Sequence, residues 1–109
     1  MGIRDVIEEQ RKLPDRELVP VEGMKEKVLM RRLSCGEMLK LVADFAEERR
    51  SVVMILACLL DEQGKPVFSE PAEITGLPEA FTSPLADAAI KLNSPTMEEA
   101  EKNSTALHS

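Results

Sequence analysis

The chain has 109 residues, 43% of them hydrophobic but only 3% aromatic, with three Phe and neither Trp nor Tyr, so it has material for one aliphatic core and not for two. Its net charge of −6 is uneven: residues 1–60 hold 11 acids and 11 bases, residues 61–109 nine acids and three bases, which argues against gripping a nucleic-acid backbone and for solubility or a basic partner. The longest apolar run, Val52 to Leu60, is nine residues, against roughly 20 needed to cross a bilayer, so no transmembrane helix is predicted.

At the N-terminus, Met1-Gly2-Ile3-Arg4-Asp5-Val6 places charges where a signal peptide needs an apolar stretch, and Val6 stands where a myristoylation signal needs Ser or Thr. A cytoplasmic protein is expected. Ile3, Val6 and Ile7 fall at i, i+3 and i+4 among charges, predicting a short amphipathic helix over 3–12 that ends before Pro14. Residues 18–33 read as two short apolar runs around a polar turn containing Gly23, a β-hairpin in which Pro20 must keep to an edge.

Ser34-Cys35-Gly36-Glu37 has the form of a capping box and predicts a helix start, with Met38, Leu41, Val42 and Phe45 as its apolar stripe. The run Val52 to Leu60 has no one-sided periodicity, so it is read as buried all round, either as a central helix, the preferred reading, or as an interior strand. Asp61 to Pro66 reads as a turn, followed by an extended Val67-Phe68.

Ser69 is expected to cap a short helix through Ile74, with Pro71 in its first turn and Gly76 past its end. Thr82 or Ser83 is expected to cap a further helix, with Pro84 in its first turn and Leu85, Ala88, Ala89 and Leu92 on one stripe. Thr96-Met97-Glu98-Glu99 suggests a last capping box, and residues after Lys102 a loose tail. The expected fold is mainly α with a small N-terminal β-hairpin in a single compact domain, divided into a helical arm over 1–17, the domain proper over 18–104 and a flexible tail over 105–109.

No set of side chains for catalysis, metal or cofactor is apparent. The single His, His108, is one residue from the end, where no scaffold would hold a general base or a metal ligand. Cys35 at a helix start could be an activated nucleophile, but no His in an ordered region can pair with it; Cys58 reads as a small buried hydrophobe. Asp61-Glu62-Gln63-Gly64 lacks the alternating oxygen ligands of a calcium loop, and the five isolated Gly make no phosphate cradle. Of the paired bases, Arg31-Arg32 lies beside acids, and Arg49-Arg50 is read as charge compensation at a helix C-terminus.

The succession of a short helix, an extended Val28 to Leu33 ending in Arg31-Arg32-Leu33-Ser34, a capped helix, an apolar run closing on Leu60-Asp61-Glu62-Gln63-Gly64-Lys65-Pro66-Val67-Phe68, and a helix over Leu85 to Asn93 resembles the tail assembly chaperones of long-tailed bacteriophages. The resemblance covers residues 18–104, and its most specific pieces are the Asp-x-x-Gly-Lys-Pro-Val-Phe turn after the apolar run, Ala89-Ile90-Lys91-Leu92-Asn93, and Lys102-Asn103-Ser104.

The resemblance implies a non-catalytic phage or prophage protein of the host cytoplasm, absent from the mature virion, that coats the tape-measure protein. It also implies an extended product, made by ribosomal frameshifting, that engages the tail-tube protein. Glu101-Lys102-Asn103 can be encoded by GAA-AAA-AAC, which contains a slippery heptamer, so Lys102 and Asn103 mark the candidate frameshift position. Leu85, Ala89 and Leu92 are the candidate partner contacts, with core packing the expected role of at least one of them; homo-oligomers are expected, and neither nucleic acid, membrane nor cofactor is an expected partner. The alternative is a small prophage-encoded DNA-binding or antitoxin-type regulator using the paired arginines.

Overall fold

A computed structural model describes residues 2–94 of the chain. The first helix, α1, spans Ile3–Arg11; Asp5 reaches back to accept a hydrogen bond from the Gly2 N–H at 3.2 Å, and Asp5 and Arg11 sit where the helix dipole favours them. Leu13-Pro14 ends it, and α1 buries no residue within the described chain.

Strands β1 (Arg16–Val19) and β2 (Val28–Arg31) pair antiparallel with Arg16 opposite Arg31 and Val19 opposite Val28. The hairpin therefore begins two residues before the expected start, inside the stretch assigned to the arm, and Arg32 N–H donating to Asp15 C=O at 2.8 Å prolongs the pairing. Pro20 stands just past β1, where its missing N–H costs no ladder bond. Gly23, at φ 87, makes the turn that lets Val21 fold back into the core.

Helix α2 (Cys35–Asp44) starts on the expected capping box: Ser34 Oγ accepts from Glu37 N–H at 3.1 Å, and the Glu37 carboxylate accepts from Ser34 N–H at 3.1 Å. The helix lies at the periphery. Met38 and Phe45 pack on the core and Leu41 is half-buried, but Val42, expected on the same stripe, is 59% exposed.

Helix α3 (Arg50–Cys58) resolves the ambiguity of the apolar run. Residues Val52–Leu56 and Cys58 are all buried, because α5, α4 and β2 close on it from different sides. At Leu59 the backbone turns extended, Met30 bridges to Leu59, and Leu60 N–H donates to Leu29 C=O at 3.0 Å. The run is thus helix for most of its length and strand-like at its end, since β2 offers an edge there. Leu60 then bridges to Pro66 across a turn in which Asp61 Oδ1 accepts from Gln63 and Lys65 N–H at 2.8 and 3.0 Å.

Helix α4 (Pro71–Thr75) begins on Pro71 as expected, but Glu70 rather than Ser69 holds the cap position. Glu73 Oε1 gathers the Ser69 N–H, Ser69 Oγ–H and Glu70 N–H, so the Ser69 hydroxyl donates instead of accepting. Helix α5 (Glu79–Leu92) begins earlier than the expected Thr82 or Ser83 cap; Pro78 precedes it and Pro84 lies within it. The missing Pro84 N–H strips a bond only from Ala80, whose exposure leaves its carbonyl to water. Phe81 and Thr82 N–H both donate to Pro78 C=O, so the first turn forms without a side-chain cap.

Met30, Met54, Ile55, Ile74, Leu85 and Cys58 form the fully buried centre, which is aliphatic and sulfur-bearing as the aromatic-poor composition requires. One cluster joins β2, α3, α4 and α5, with α2 leaning on it, making a single mainly α domain with an N-terminal β-hairpin. No helix of the described chain is long and apolar enough to cross a membrane.

Candidate functional site

Helices α3, α4 and α5 leave a shallow cleft of about 290 Å³ between them. Its floor is lined by Val52 and Ile55 of α3, Ala86 and Ile90 of α5, and Ile74 of α4, of which all but Ile90 are buried members of the core. The rim is polar, with Arg49 at the start of α3 and Glu79, Thr82, Ser83 and Asp87 along α5. On the rim the acids Glu79 and Asp87 outnumber the single base Arg49. The cleft's accessible apolar surface is therefore small, and what it presents to solvent is mainly the polar, acidic rim.

The predicted contact residues lie elsewhere. Leu85 and Ala89 are 2% and 0% exposed, locked in the core, while Leu92 is half-buried. Ala86, 3% exposed, belongs to the core with them, so of the α5 residues from 85 onward on the cleft side only Asp87 and the half-buried Ile90 reach the surface. The stripe was read correctly as apolar, but it is what holds α5 to α3. Lys102, Asn103, His108 and the Thr96 capping box fall outside the described residues.

Of the paired arginines, Arg31 and Arg32 are engaged within the fold. Arg31 forms an ion pair with Glu37, and Arg32 donates to Glu17 Oε2 at 2.6 Å and to Pro14 C=O at 2.8 Å. Arg49 and Arg50 stand at the N-terminus of α3, not at the C-terminus of α2, which ends at Asp44; the intervening turn separates them from the helix they were expected to compensate. At a helix start a positive charge is disfavoured by the dipole, so their place here is a local cost that Arg49's position on the cleft rim accompanies.

Cys35 is exposed at the start of α2, and burial pushes the Cys58 thiol up to about 11, far from the ionisation a nucleophile needs. The Asp61 carboxylate is held below its ordinary range, chiefly by the Lys65 backbone N–H, so it fastens a turn. Among the described residues no cluster of His, Cys, Asp and Glu could hold a metal.

Asn93, which no sequence pattern singled out alone, ties the two halves together. Its Oδ1 accepts from Leu33 N–H at 2.7 Å, and its Nδ2 donates to Ala89 C=O at 3.0 Å and to Cys58 Sγ and Arg31 C=O at 3.5 Å. The signal was present in its position just after a helical stripe, where Asn is a familiar terminator, but its partner 60 residues away was not. Family models, curated proteins and solved structures were all compared with this chain, and none matches it.

Proposed function

We propose that the chain is a phage tail assembly chaperone, a non-catalytic helper of the host cytoplasm that covers apolar faces of the tape-measure protein and, through an extended frameshifted product, brings tail-tube subunits to it. The observation that carries this reading is the α3–α4–α5 cleft: an aliphatic floor under an acidic rim on a small acidic protein. A long helical protein is aggregation-prone until the tube encloses it, and a cleft of this kind suits capping one stretch of its apolar stripe. Leu39 and Val42, 67% and 59% exposed on α2, add a second aliphatic surface. The regulator reading is left with Arg49 and Arg50 alone, because Arg31 and Arg32 are already held by Glu37, Glu17 and Pro14.

The test is co-expression with the product of a very long gene encoded beside this one. The tape-measure protein is expected to be soluble and to co-purify with the wild-type chain, and to lose most of that association with Ser83→Arg, which fills the cleft from an exposed position. A tape-measure protein that stays insoluble beside a folded, abundant chain overturns the proposal. For the longer product the codons decide: AAG at Lys102, with no other slippery run and no overlapping frame, removes it.

A further inference from the structure

Helix α1 carries an apolar stripe that no other element of the described chain closes: Ile3 is 72% exposed, and Val6 and Ile7 are exposed as well. A helix this short is marginal in water by itself, so the stripe calls for a cover. Its flanks say which. At about 100° per residue, Arg4 and Arg11 border the stripe on one side and Glu9 on the other.

When two such helices face each other, antiparallel pairing sets like flanks together, basic beside basic, whereas parallel pairing sets the basic flank of each against the acidic flank of its partner. Glu9 of one helix then stands within about 3 Å in height of Arg11 of the other, from the 1.5 Å rise per residue. The existing Glu8–Arg11 pair, 3.2 Å apart with both side chains largely exposed, is a weak surface contact that leaves Arg11 free to make the second one.

We infer that α1 is a self-pairing arm: two copies of the chain associate through parallel α1 helices, with Ile3, Val6 and Ile7 as the seam and Glu9 against Arg11 across it. A lipid surface is a poorer cover, because Asp5, Glu8 and Glu9 offset Arg4, Arg11 and Lys12 and leave the segment no net attraction to an anionic headgroup layer. The seam falls well short of the roughly 800 Å² per partner of a stable complex. Pairing is therefore weak in dilute solution. Copies held side by side on one long partner reach effective concentrations near millimolar, where it becomes populated. That last step alone rests on the chaperone reading; the pairing itself does not.

Sedimentation equilibrium on the full chain tests it. Wild type is expected to show a monomer–dimer equilibrium, and Val6→Asp with Ile7→Asp to weaken it at least roughly tenfold. Because α1 buries nothing, the thermal unfolding midpoint should stay where it is, separating lost pairing from lost folding. Glu9→Lys alone, and Arg4→Glu with Arg11→Glu alone, should each pair poorly with themselves, while an equimolar mixture of the two recovers association.

A chain that stays monomeric at every concentration overturns the inference, as do association indifferent to the stripe variants, a mixture that fails to recover, and α1-dependent binding to phosphatidylserine vesicles. None of these outcomes touches co-purification with the tape-measure protein, so the two proposals fail separately.

Discussion

Helices α2 and α3 are nearly the same length and are separated by one turn, yet they live in opposite environments. Helix α2 has the better local credentials, a reciprocal capping box and a one-sided stripe, and it buries no residue completely; α3 has no side-chain cap and arginines at its positive end, and almost all of it is buried. Local chemistry specifies where a helix starts, whereas the amount of burial is set by how many neighbours surround it. Here α3 has α5, α4 and β2 around it, while α2 only leans on the cluster through Met38 and Phe45.

The sharpest way to break that contrast is to shorten one side chain on each helix. Met54→Ala in α3 is expected to cost about 2–5 kcal/mol by chemical denaturation, because a fully buried side chain leaves a cavity. Leu39→Ala in α2 should stay within about 0.5 kcal/mol. Equal costs would mean that α2 is closed over by something in solution.

Next comes the link between the two halves. Asn93→Ala is expected to cost about 1–3 kcal/mol, since Leu33 N–H loses its acceptor in a half-buried site. It should also speed hydrogen exchange at Leu33 and the start of α2 more than in α3. A uniform increase throughout would show that Asn93 supports the whole core instead of the junction.

The smaller effects concern the cap of α2. Ser34→Ala should cost about 1 kcal/mol. Glu37 is held below its ordinary range, first by the Ser34 backbone N–H and then by Arg31. With its folded value lower than its unfolded one, its contribution is present above the ordinary carboxylate range and is lost as pH falls through the lowered value. Its partial exposure keeps that contribution to a few tenths of a kcal/mol up to about 1 kcal/mol. Stability measured down the acid limb should therefore fall less steeply in Glu37→Gln than in wild type; parallel limbs would place the acid sensitivity in Asp61 and Glu73, whose carboxylates are depressed in the same sense.

Much of the fold was readable because its signals are local. The α1 stripe ending before Pro14, the Gly23 turn, the Ser34–Glu37 box and Pro71 at the start of α4 each depend on residues within a few positions of one another. The start of α5 differs from the expected one for a related reason: Thr82, Ser83 and Pro84 have the form of a helix start, whereas the actual start is built only on backbone bonds to Pro78, which leave no local side-chain signal. The cleft was not readable at all, since its lining collects residues from three helices.

From sequence alone, periodicity and capping chemistry determined that this protein is a mainly α domain with an N-terminal hairpin and an aliphatic core, because those forces act over a few residues. Only the tertiary structure decided that Leu85, Ala86 and Ala89 serve the core, that the run from Val52 ends as a strand-like edge beside β2, and that Ile90 lines a cleft. Burial belongs to the packed arrangement: one apolar side chain is core or surface according to what stands across from it, and that neighbour is seldom close in the chain.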